Sequence, residues 1–169
     1  LYIGKKIKNM KKLFTLTIGA ILALTLTASA VDFSSQALYN HNFKSSENVV
    51  GAEISASTNL FSDVVGQTSL GISQAYGLTT DGADSTGITS LAFRQNVDKL
   101  EFGGFAPFVA GETSLSYGEN QKENWSLSPV VGESFSYKGV NLFASVAYDF
   151  SLQNRGDGLT ARAGLNWKF

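Results

Sequence analysis

Leu159-Thr160-Ala161-Arg162-Ala163-Gly164-Leu165-Asn166-Trp167-Lys168-Phe169 ends the sequence. Every second residue, from Leu159 through Ala161, Ala163, Leu165 and Trp167 to Phe169, is apolar. The residues between them are small or polar. A period of two sends successive side chains to opposite faces, so this is a strand with one greasy face and one wet face. Its length suits a steeply tilted crossing of a hydrocarbon layer, which takes roughly 9–11 residues. A lone strand in lipid leaves its backbone unpaired, so the reading depends on whether the upstream chain supplies partners.

The upstream chain begins with a different signal. Met10-Lys11-Lys12 precedes an apolar run over 13–27, and Ala28-Ser29-Ala30 follows. A basic start, a short apolar core and a small-x-small ending spell a secretory signal peptide at 10–30, with 1–9 as an upstream extension. A membrane-anchoring helix would need about 20 apolar residues and has no use for Ala-Ser-Ala. Five of the thirteen basic residues (Lys5, Lys6, Lys8, Lys11, Lys12) and none of the fourteen acids lie in 1–30. Residues 31–169 therefore carry eight bases against fourteen acids, a net charge of −6. That balance argues against nucleic acid as a partner. With no cysteine there is no disulfide framework and no thiolate chemistry.

From Val31 onward the pattern is alternation broken by Gly, Asn, Asp and Ser clusters. Residues 32–42 alternate least clearly, with Phe33, Ala37 and Tyr39 on one face. Residues 48–60 put Val50, Ala52, Ile54, Ala56, Thr58 and Leu60 opposite Glu53, Ser55, Ser57 and Asn59. A turn at 61–63 leads to 64–76, where Val64, Gly66, Thr68, Leu70, Ile72 and Tyr76 point outward and Gln74 breaks the row. Residues 77–87 read as a loop by composition. Further strands are expected at 88–97, 105–117, 124–137, 140–152 and 159–169. Lys138-Gly139 makes a two-residue hairpin. That is eight strands, with connections alternating between two ends.

This pattern resembles the small eight-stranded outer-membrane β-barrels, the OmpA-domain and OmpX type. The resemblance spans 31–169 and rests on the alternating strands, the leader, the absence of cysteine and the ending. It implies an all-β, antiparallel, up-and-down transmembrane barrel in the outer membrane of a Gram-negative-type bacterium. It also implies that Leu165, Trp167 and Phe169 form the signal read by the barrel-assembly machinery. The stretch Pro107-Phe108-Val109-Ala110-Gly111 looks like the start of a middle strand in many members. Tyr76, Tyr117, Trp125, Tyr148 and Phe150 fall at one rim, and Phe105, Phe135, Tyr137, Trp167 and Phe169 at the other. Such aromatic girdles suit a lipid–water boundary.

The parity that sends apolar residues outward sends Glu53, Arg94, Glu112, Asp149 and Arg162 inward. An eight-stranded interior is just wide enough for side chains to fill, and charges there must be paired. A symmetric hairpin about 153–158 would set Arg162 opposite Asp149, so that ion pair is expected, with a diagonal contact between Arg94 and Glu112. Glu133 has outward parity; lipid, a bulge or a protein contact would each account for it. The single histidine, His41, stands at a strand end without cysteine, so no metal cluster is read. Turn chemistry accounts for Asp81-Gly82 and Asp157-Gly158.

The expected role is structural or surface-interacting: a barrel with a filled polar interior, outer-membrane lipid around it and no cofactor. The surface ligand is not specified. A narrow channel is the second class, because the inner row from Ser126 to Ser136 is nearly all small. A lipid-modifying enzyme using His41 is the third, and no local motif supports it. A soluble lipocalin-like barrel conflicts with the long outward apolar rows.

Overall fold

A computed structural model describes residues 31–80, 84–118, 123–138, 140–153 and 156–168. Residues 1–30, with the signal peptide expected at 10–30, lie outside the described residues, as do Asp81-Gly82, Gly139 and Phe169. The strands are β1 (Val31–Asn42), β2 (Asn48–Ser62), β3 (Gln67–Thr79), β4 (Ser85–Asn96), β5 (Phe105–Gly118), β6 (Asn124–Tyr137), β7 (Val140–Ser151) and β8 (Gly158–Lys168). Each pairs antiparallel with the next, and β8 returns to β1, closing an eight-stranded barrel. The closing register runs from Asp32↔Lys168 to Asn42↔Gly158. Thus β1, with the poorest alternation, pairs fully on both sides. Its neighbours supply the regularity that its own sequence lacks.

One row of paired residues fixes the geometry. It runs Phe105, Phe135, Leu142, Leu165, Ser35, Ile54, Gln74, Thr89 and Leu115. After one circuit it is back on β5, ten residues further along. With a rise of ~3.3 Å per residue and ~4.8 Å between strands, that stagger tilts the strands by about 41°. The same numbers give a backbone radius of roughly 8 Å, an interior that side chains can fill.

The outward rows expected from parity are exposed and apolar, including Ile54, Leu91, Val109, Leu127, Val131 and Val146. Water would make such rows costly; hydrocarbon does not. The inward rows carry most of the buried serines, with Thr79, Thr86 and Thr160 and the charges Glu53, Glu112 and Arg162. One apolar group, Phe108, Val130 and Ala147 with Ala110 against it, also packs inside.

Three expectations need correction. The loop over 77–87 shrinks to 80–84, because Gly77↔Thr86 and Leu78↔Ser85 continue the ladder. Glycine and threonine there are strand residues whose backbones pair regardless of composition. The turn at 61–63 lies instead at 63–66: a register shift between Asn59 and Phe61 carries β2 onward to Ser62. Val64 and Gly66 therefore belong to the turn, not to an outward row.

The two outward polar residues behave differently. Gln74 stays outward but is buried. Its Nε2 donates to Ala75 O, Ile88 O and Tyr117 Oη at 3.0, 3.1 and 2.9 Å, and its Oε1 accepts from Thr89 Oγ1 at 2.8 Å. Gly87 makes room for this, since the Tyr117 ring covers the place a side chain would take. Every polar atom of Gln74 is thereby satisfied, as hydrocarbon requires. Glu133 sits in unbroken register between Pro107 and Ala144, so no bulge turns it inward. It is exposed on the outer face.

At the 63–66 turn, Asp63 Oδ1 accepts the N–H groups of Val65 and Gly66 at 2.8 and 3.0 Å. Those donors, Gly66 first, hold the carboxyl below its ordinary value. A depressed folded-state pKa means the turn's contribution is complete above the unfolded value and is lost as pH falls through the folded one. An NMR titration should find Asp63 ionising below a free aspartate, and Asp63→Asn should remove that acid-side dependence.

Candidate functional site

The barrel's chemistry is concentrated in its lumen. Arg162 on β8 lies inside and is 9% exposed. Its Nε donates to Glu53 Oε2 on β2 at 3.0 Å, and its Nη2 donates to Glu112 Oε1 on β5 at 2.8 Å. The strand stagger puts the three residues within about 2 Å of one level along the barrel axis. β5 lies across the barrel from the β8–β1–β2 arc. The triad is therefore a strut between opposite walls. Arginine suits the position because its planar fork can serve two carboxylates at once and it stays charged.

The expected Arg162–Asp149 pair does not form. β7 and β8 register as Ser145↔Arg162 and Asp149↔Gly158, four residues off the symmetric hairpin. β7 runs on past the start of β8, pairing Phe150 and Ser151 with β6. The connection then leans towards β1–β2, where Phe43 N–H bonds Asp157 O at 2.9 Å. Asp149 instead accepts from Ser128 Oγ at 2.6 Å, Asn40 Nδ2 at 3.0 Å and Thr160 Oγ1 at 2.5 Å.

The Arg94–Glu112 contact is absent as well. Arg94 Nε donates to Asn96 Oδ1 at 2.9 Å, and its guanidinium lies 3.6 Å from the centroid of the Phe108 ring. It points towards the ends of the chain, about 8 Å along the axis from Glu112. The ring face is favourable for the cation, and the carboxylate of Asp32, which borders the same cavity, acts on Arg94 electrostatically.

The strut divides the lumen. Below it, towards the chain ends, is a cavity of about 120 Å³ bordered by Gln36, Ser55, Arg94, Phe108 and Asn166. Above it is one of about 100 Å³ bordered by Asn40, Ser114, Ser126, Asp149 and Thr160. Arg162 borders both. Gln36 Oε1 and Asn166 Oδ1 are buried without a hydrogen-bond partner. No group of three or more His, Asp or Glu that could hold a metal occurs among the described residues.

The rims are aromatic. Tyr76, Trp125, Tyr148 and Phe150 are exposed at the end opposite the chain ends, with Tyr117 half-buried there. Tyr39 joins them. At the other end Phe105 stacks on Phe135 at 4.5 Å, and Phe135 on Tyr137 at 6.2 Å. Leu165 and Trp167 are exposed on the outer face of β8. Phe102 is a rim residue that the alternation did not reveal, although Phe102-Gly103-Gly104-Phe105 carries a hairpin signal. His41 also faces outward. Its Nδ1 is 2.7 Å from Asn48 Oδ1 and its ring meets Phe43 edge-on at 5.3 Å. Among the described residues neither a serine nor a carboxylate bonds it.

A closed antiparallel barrel of even strand number, with an apolar outer band between aromatic rims and a bonded polar lumen, defines a class. This is the architecture of the small eight-stranded outer-membrane β-barrels, OmpA- and OmpX-like. The crystal structure of Neisserial surface protein A is similar, with a TM-score of 0.62 at 12% identity, covering 83% of this chain and 96% of that one. The N-terminal β-barrel domain of Pseudomonas aeruginosa OprF gives 0.49 at 18% identity over 84% and 98%. Ail of Yersinia pestis gives 0.49 at 10% identity over 83% and 97%. At these identities the likeness is one of fold. No family model and no curated protein matches the sequence.

Removing the strut's cation should be severe. Arg162→Ala strands two buried carboxylates, and breaking a buried pair costs about 3–5 kcal/mol. The urea midpoint of the refolded barrel should fall accordingly. Arg162→Met combined with Glu53→Gln and Glu112→Gln should recover most of the loss. Asp149→Ala should cost less, about 1–3 kcal/mol, by leaving hydroxyl and amide donors unpaired.

Proposed function

We propose that the protein is an integral outer-membrane barrel of a Gram-negative-type cell, with a structural or surface-contact role and a closed lumen. The observation that carries this reading is the strut of Arg162, Glu53 and Glu112 across the barrel. Side chains from opposite walls meet where a solute would have to pass. The apolar outer band supports the location.

The same reading makes residues 10–30 a cleaved export signal and outer-membrane lipid the main partner. Leu165, Trp167 and Phe169 would be presented to the barrel-assembly machinery. The connections at the exposed end, 43–47, 80–84 and 119–123, are short. They suit a small contact surface. We assign no enzymatic activity: His41 is engaged by Asn48 and faces outward, away from the lumen's hydroxyls.

Purified protein in a planar bilayer should be silent at neutral pH. Steady single-channel openings would replace this reading with the narrow channel. His41→Ala should leave envelope lipid composition unchanged; an altered acyl pattern would revive the lipid-active enzyme.

A further inference from the structure

The connections at the chain-end rim are unlike those at the other. The turn at 63–66 and the connection at 97–104 exposes Val64 by 79%, Leu100 by 66% and Phe102 by 86%. The 43–47 connection, at the opposite end, exposes Lys44, Ser45, Ser46 and Glu47 together with Phe43. The longest connection between strands, 97–104, thus lies where the shortest are usual and carries large apolar groups.

We propose that these two connections form an apolar foot seated in the phospholipid of the periplasmic leaflet. The inference rests on the outer-membrane location proposed above. Its main support is continuity with the lipid-facing band. Phe102 and Phe105 exchange both backbone hydrogen bonds, at 2.9 and 3.0 Å, around Gly103 (φ 60°) and Gly104 (φ 87°). Residues paired in this way put their side chains on one face. Phe105 belongs to the outward rim and stacks on Phe135. Phe102 therefore extends that aromatic row by one ring beneath β4.

Hydrogen bonding in the turns is consistent with such a seat. Asp98 N–H donates to Val65 O at 3.0 Å and joins the two connections into one body. Val97 N–H bonds Pro107 O, Leu100 N–H bonds Val97 O and Glu101 N–H bonds Asp98 O, at 2.9, 2.9 and 3.1 Å. Asp63 takes the Val65 and Gly66 N–H groups. Backbone that meets lipid must be satisfied internally in this way. Lys99 and Glu101 are exposed beside the apolar groups and would reach the headgroup layer. The foot underlies only the β2–β5 arc. The β6–β7 turn carries the exposed ammonium of Lys138, so it should stay in water. The barrel would thus be held more deeply on one side than on the other.

The sequence has no cysteine, so one introduced thiol reports alone. Val64→Cys, Leu100→Cys and Phe102→Cys would each carry a nitroxide in vesicles of phosphatidylethanolamine and phosphatidylglycerol. Lys138→Cys is the water control and Leu142→Cys the lipid control. Collision rates with oxygen and with a water-soluble nickel chelate are then compared. At all three foot positions the oxygen-to-nickel ratio should exceed that at Lys138 several-fold and approach that at Leu142. A ratio equal to that at Lys138 overturns the foot, and leaves the surface to a soluble periplasmic partner. Ready access of nickel to position 142 would instead overturn the membrane location itself.

Discussion

The N–H and C=O groups of every strand demand partners, and the pairing of β1 with β8 meets that demand by leaving the sheet no open edge. Closure then sets everything else. Ten residues of stagger around eight strands fix the tilt and the radius, and the radius leaves room for side chains rather than for a solute. The parity of each strand follows, because a one-residue slip would turn its inward row to the outer face. Gln74 shows how strictly the demand is met: an amide on the outer face persists because two carbonyls and two hydroxyls saturate it.

The lumen answers the same constraint from within. Charged side chains from several strands enter a narrow space, and each needs a partner. Arg162 joins Glu53 and Glu112, Asp149 takes three neutral donors, and Arg94 covers Phe108. The strut links strands far apart in sequence, so it forms only when the barrel is nearly complete.

The sequence shows which residues enter the lumen more clearly than it shows their partners. Parity identifies the five charges because the period of two is local. Partners depend on the stagger between strands, which accumulates around the ring and is set by how each connection bends. The β7–β8 hairpin makes the point. A symmetric loop would have paired Arg162 with Asp149, but the loop leans onto β1–β2 and the register moves by four residues. Similarly, Gly77 and Gly87 look like loop residues by composition and are held in strands by neighbours.

The sequence alone settled the number of strands, the face taken by most strand residues and the apolar character of the outer rows. These are local properties, since alternation needs only the geometry of the extended chain. Tertiary structure alone decided the stagger, the Arg162–Glu53–Glu112 strut, the division of the lumen and the placement of Phe102 beside Phe105 on the outer face of the rim. Each depends on where two distant strands stop sliding past one another. The terminal segment shows both sides: its alternation made it a strand, and closure onto β1 placed Arg162 between two carboxylates.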